Sequence, residues 1–232
     1  MGTLSVDQST RVDLRQRTVT DLNQALHQAP AGSQWEVLHP DGQHAIAAGL
    51  AAPITVKIEG HVGYFAAGMN EEASVEISGN AGVGVAENMM SGRVHVHGSA
   101  SQSAGATAHG GLLVIDGDAA ARCGISMKGV NIVVGGGVGH MSAFMAQAGA
   151  LVICGDAGDG LGDSIYEARL YVRGKVGQLG ADCVAKEMRP EHLAELSGLL
   201  AQAGLDHDPA EFRRYGSARQ LYNFHVENAF AY

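Results

Sequence analysis

Along the middle of the chain, aliphatic residues recur in pairs two positions apart, and each pair is followed two positions later by a glycine. These glycines are Gly60, Gly79, Gly98, Gly117, Gly136, Gly155 and Gly174, every interval being 19 residues. Four residues before them stand Val56, Val75, Val94, Leu113, Ile132, Leu151 and Leu170; two before stand Ile58, Ile77, Val96, Ile115, Val134, Ile153 and Val172. Two residues after come Val62, Ala81, Ala100, Ala119, Val138, Ala157 and Val176, and seven after come Ala67, Ala86, Gly105, Gly124, Ala143, Gly162 and Ala181. Aliphatics at −4 and −2 have the strand period, so both point to one face. The glycine lets the chain turn sharply, at a positive φ where a Cβ would clash. A unit of this size with one clear strand cannot bury its apolar face alone, so the copies must stack. Identical columns then lie ~4.8 Å apart, and the stack forms a rod ~30 Å long.

Other repeat architectures fail on number. Hexapeptide helices need an aliphatic every six residues, and 19 is not a multiple of six. Calcium-binding nonapeptides repeat near nine with Gly-x-Asp, and leucine-rich repeats need an Asn or Cys column. The pattern therefore predicts an all-β-dominated chain, a right-handed parallel β-helix of about seven coils of 19 residues over 54–187. Residues 1–53 read as a small α/β extension with a first irregular coil. In it, Thr18 or Thr20 caps a helix through about Gln28, Trp35 to Leu38 form a strand, and a weaker apolar stretch runs from Ala45 to Leu50.

Residues 188–232 read as a helical and aromatic tail. Pro190 opens a helix whose apolar face is Leu193, Leu196, Leu199, Leu200 and Ala203, with Gly204 beyond its end. Asp208-Pro209-Ala210-Glu211 resembles a capping box for a second short helix ending at Gly216. Phe212, Tyr215, Tyr222, Phe224, Phe230 and Tyr232 concentrate near the end of the chain, either to cap its own core or as an arm on a partner. The outward −3 column changes from Lys57, Glu76 and His95 to Val114, Val133, Val152 and Tyr171. An apolar outer face needs a cover, first of all the C-terminal helix and after it a partner protein.

Composition narrows the function classes. With 33 glycines in 232 residues the chain has roughly twice the usual share, yet 46% of it is hydrophobic, which excludes disorder. Lys and Arg total 15 against 24 Asp and Glu, a net charge of −9 with no basic block, which disfavours nucleic acid and anionic membranes. No apolar run reaches the ~18 residues of a membrane span, and no signal-peptide core is visible. Cys123, Cys154 and Cys183 form no Cys-x-x-Cys and cannot all pair, so a cytoplasmic location is expected.

Candidate chemistry is sparse. Gly135 to Gly139 lacks phosphate-loop spacing, and its glycines fall on repeat columns. Asp116, Asp118, Asp156, Asp159 and Asp163 form an acidic group in which Asp118 and Asp156 share the +1 column two coils apart, with Gly137 between them. A carbohydrate-active site there is the enzyme-class alternative. His95 and His97 alternate outward on one strand, while His109 and His140 lie at other corners; no second pair joins them, so no metal site is expected. Neither catalytic nor cofactor-binding residues are expected in this chain. The corner at +9 to +12 carries Asn88, Met89, Met90, His109, Met127, Lys128, Met145, Gln147, Tyr166 and Glu167. These either fill a wide loop or make adaptable protein contacts. The candidate interface is therefore Met89, Met90, His109, Met127, Lys128, Met145 and Tyr166, with Tyr222, Phe224, Phe230 and Tyr232 of the tail.

The Gly-x-x-Gly pattern at Gly60/Gly63, Gly79/Gly82, Gly136/Gly139, Gly155/Gly158 and Gly174/Gly177 resembles the GXGXG domain. That is the C-terminal β-helix of glutamate synthase large subunits, also found as one of the subunits of formylmethanofuran dehydrogenase. Ser101 and Ala120 replace the second glycine in the third and fourth coils. Longer stretches, residues 60–64 (GHVGY), 85–92 (VAENMMSG), 101–107 (SQSAGAT), 122–129 (RCGISMKG) and 162–169 (GDSIYEAR), resemble the stand-alone β-helix subunit of N-methylglutamate synthase and its near relatives. The resemblance implies a split enzyme. A glutamine amidotransferase-like subunit, a non-catalytic β-helix subunit and a subunit with FMN and an iron–sulfur cluster together convert glutamate and methylamine to N-methylglutamate and ammonia. The runner-up is the equivalent β-helix subunit of another glutamate-synthase-like complex or of formylmethanofuran dehydrogenase.

Overall fold

The structure, a computed structural model, describes residues 10–219. Its strands are β1 (Thr10–Asp13), β2 (Gln34–Leu38), β3 (Thr55–Glu59), β4 (Ser74–Ile77), β5 (Arg93–Val96), β6 (Leu112–Ile115), β7 (Lys128–Val134), β8 (Ala148–Ile153), β9 (Arg169–Val172), β10 (Cys183–Lys186) and β11 (Arg213–Ser217). The helices are α1 (Val19–His27) and α2 (Pro190–Ala203), with a single 3₁₀ turn at Pro209–Glu211. All eleven strands form one sheet in the order β1-β2-β3-β4-β5-β6-β7-β8-β9-β11-β10. The chain is a β-solenoid.

From β3 to β9 residues pair with those 19 positions on, as Val56↔Val75↔Val94↔Leu113↔Ile132↔Leu151↔Leu170, except at the start of β7, where an irregularity pairs Lys128 with Ala148. The −4 and −2 aliphatics fill the bore and are buried throughout. A second, one-residue ladder runs through the +2 column from Val62 to Val176, also in parallel. The parallel ladder continues below β3 with longer offsets, since Trp35 pairs with Val56 and Thr10 with Trp35. Helix α1 sits in the widest of these connections. Thr18 caps it, its Oγ1 accepting from the Asp21 N–H (3.1 Å) while Asp21 accepts from the Thr18 N–H (3.2 Å). Leu22 and Leu26, each 1% exposed, join the main core.

The turn glycines work differently from the sequence expectation. Only Gly60 of the seven has a left-handed φ, +137°. Above it the need is close approach: a Cβ on Gly79 would lie 2.6 Å from the carbonyl carbon of Gly60, and one on Gly155 2.7 Å from that of Gly136. Left-handed backbone appears instead in the corner at +5, +7 and +9, for example Met141, Ala143 and Met145 (φ 56°, 56° and 53°). The small +7 residues thus combine a left-handed φ with full burial, as at Ala67, Ala86 and Ala143.

Helix α2 covers the outer face, as the apolar −3 column requires. Leu196, Leu199, Leu200 and Ala203 form a second core with Val114, Val133, Val152 and Tyr171. Gly204 ends the helix at φ 75°. The expected second helix ending at Gly216 is absent. Asp208 does cap a turn, its Oδ1 accepting from the Ala210 N–H (2.9 Å), but the chain then extends into β11. The open edge of β9 outweighs the local capping signal: β11 inserts antiparallel between β9 and β10, and Tyr215 pairs with both Leu170 and Ala185. Among the described residues, no helix is long and apolar enough to cross a membrane.

Candidate functional site

The corner ridge divides by column parity. Met89 and Met127 at +10 are wholly buried, aligned with Ala108, Ala146 and Ile165 in the bore. Their expected place on an interface is therefore corrected, because alternation along the corner turns +10 inward and +9 and +11 outward. Met90 (46%), Met145 (43%) and Tyr166 (41%) are exposed, as are His109 and Lys128. Met69 is exposed too. It belongs to the same +9 column as Met145, a periodicity that could have flagged it. Tyr64 and Phe65 lie a few residues before it in the first coil. Both are exposed, and Tyr64 stacks on His44 with centroids 4.5 Å apart. Of the tail aromatics, Phe212 packs under α2 and Tyr215 closes the main core, while Tyr222, Phe224, Phe230 and Tyr232 lie outside the described residues.

The acidic group is organised around the backbone. Asp118 Oδ1 accepts from the Gly137 N–H (2.7 Å), Asp156 Oδ1 from Lys175 N–H (2.7 Å) and Asp159 Oδ1 from Gln178 N–H (2.8 Å). Below them in the +1 column, His61 Nδ1 accepts from Asn80 N–H (2.8 Å) and Asn80 Oδ1 from Ser99 N–H (2.9 Å). Each side chain thus holds a backbone donor of the next coil where the strand ladder stops at the turn. Asp118 and Asp156 flank an open groove floored by Gly137, and both already serve this ladder.

Asp116 is placed otherwise. His95 of β5 and His97, the residue just past its end, project to one face, and the repeat sets Asp116 one coil above His97. His95 Nε2 lies 2.7 Å from Asp116 Oδ1 and His97 Nδ1 2.9 Å from Asp116 Oδ2, with the two imidazole centroids 4.0 Å apart. Burial alone would raise the Asp116 pKa, but hydrogen bonds to His95 and His97 and their charge hold it below the ordinary value. Separate inspection of sequence neighbours missed this trio; the column offset His97 to Asp116 was the available signal.

The thiols are not reactive groups. Cys123 is buried in the bore, and burial pushes its pKa up to about 12; Cys154 and Cys183 are pushed by burial to about 11. On α2, Glu195 accepts from Arg169 Nε and Nη2 (2.8 Å each) and from Tyr171 Oη (2.6 Å). Burial raises the Tyr171 pKa, reinforced by that hydrogen bond.

No protein-family model matches the sequence. The chain is 58% identical over 225 residues to Protein GlxC of Rhizobium meliloti (strain 1021), an alignment spanning 95% of this chain and 99% of that protein.

Proposed function

This chain belongs to the family of Protein GlxC, and from that premise we propose that it is a non-catalytic structural subunit of a glutamate-synthase-like complex. The specific assembly is N-methylglutamate synthase, a transferase acting in methylamine metabolism. The partners are a glutamine amidotransferase-like subunit and a subunit that binds FMN and an iron–sulfur cluster. The solenoid is the rigid spacer between them.

One observation carries this reading. The stretches that resemble the stand-alone β-helix subunit, residues 85–92, 101–107, 122–129 and 162–169, all contribute to the left-handed corner and its flanks. The bore needs only small and aliphatic residues there. The exposed Met90, Met145 and Tyr166 exceed that need, and such side chains suit an interface. The carboxylates that would serve a carbohydrate-active site instead hold backbone donors.

Affinity purification of the chain from its native cells tests the reading. Expected is a co-purifying flavoprotein with an FMN absorption spectrum and N-methylglutamate formation from glutamate and methylamine. A chain that stays alone at native concentration overturns it. Met90→Asp with Tyr166→Asp should weaken co-purification at least about tenfold, a ~1.4 kcal/mol effect, while thermal unfolding of the isolated chain stays unchanged.

A further inference from the structure

We propose that His95, His97 and Asp116 form a binding site for a divalent transition-metal ion, Zn²⁺ being the reference case, on the outer face of the solenoid. The site is independent of any partner subunit. Alternate residues on a strand share a face, so His95 and His97 project together. The 19-residue register then brings Asp116 over them, and the three ligand atoms lie within 4.8 Å of one another. Two imidazoles and a carboxylate are a donor set that zinc accepts, at ~2.0–2.2 Å from each ligand atom. The His–Asp separations of 2.7 and 2.9 Å have to widen by roughly half an ångström to surround an ion of that bond length.

Both histidines are already oriented. His95 is only 16% exposed and its Nε2 is hydrogen-bonded to Asp116, which orients the ring, whereas His97 is 43% exposed and has room to adjust. The nitrogens now facing Asp116 become ligands once the proton sits on the other ring nitrogen. Glu76, beside His95 in the register of the strand below, adds negative charge that favours a cation. Three protein ligands leave a fourth position toward solvent for water.

The test uses the full, tag-free chain stripped with EDTA and titrated at pH 7.5 with Zn²⁺ by calorimetry and with Co²⁺ by visible absorption. Expected is one ion per chain with micromolar Kd, weakened at least about tenfold in His97→Ala and in Asp116→Asn. The double variant His95→Ala/His97→Ala should lose this stoichiometric binding while its circular dichroism matches the parent. Imidazole NMR of the unmodified chain gives a readout free of folding effects: the His95 and His97 resonances should shift first and saturate at one equivalent. Equal binding by parent and double variant, no binding by the parent, or earlier shifts at other histidines overturns the proposal.

Discussion

Gly79 and Gly124 show that glycine meets two separate demands here. At Gly79 a Cβ would collide with rigid backbone of the coil below, 2.6 Å from the Gly60 carbonyl carbon. At Gly124 the backbone is left-handed (φ +67°), but a Cβ would meet the Met127 sulfur at 3.0 Å and Ile132 Cδ1 at 3.4 Å, both ends of side chains. Ala67, Ala86 and Ala143 already occupy the Gly124 column at similar φ. Gly124→Ala should therefore cost about 1–2 kcal/mol, the left-handed penalty. Gly79→Ala should cost ~3 kcal/mol or more, because neighbouring coils must separate. Urea unfolding of both variants checks the order. Asp156→Ala should lower stability by about 1 kcal/mol through loss of the acceptor for the Lys175 N–H, with Asp156→Asn retaining most of it.

At the scale of elements, α2 is held by an apolar stripe and by one polar anchor. Glu195 joins Arg169 and Tyr171 at 2.6–2.8 Å. Burial would raise the Glu195 pKa, but hydrogen bonds from Arg169 and Tyr171 outweigh it and leave the value lowered. A lowered folded value means stability present above the unfolded value of 4.5 and lost as pH falls through the folded one. Hydrogen exchange on α2, followed below pH 5, should show this loss in the parent and not in Glu195→Gln, which lacks the titrating group. The apolar stripe of α2 and its partner column were both legible, since each follows a period. Glu195 as their anchor was not, because its partners lie 24 and 26 residues away. The strand β11 was illegible for a similar reason: residues 208–211 do favour a helical turn locally, and only the exposed edge of β9 makes extension preferable.

At the scale of the whole molecule, the first coils are filled by α1 and the other end of the stack is finished by the antiparallel pair β11 and β10, with α2 over its upper flank. Removal of residues from 188 onward would uncover Val133, Val152 and Tyr171 together with the β9 edge. The truncated chain should associate through that surface, seen as concentration-dependent light scattering, whereas the full chain should not. The sequence by itself determined the 19-residue coil, the identity of the bore-lining columns and the apolar face awaiting α2. Each is a periodic property, and stacking turns a period directly into a column. Tertiary structure decided which face of the corner each methionine takes, which end of the stack recruits a strand, and that both imidazoles turn a ring nitrogen onto Asp116. Those outcomes depend on backbone handedness within the corner and on contacts between coils, neither of which a column of residue types specifies by itself.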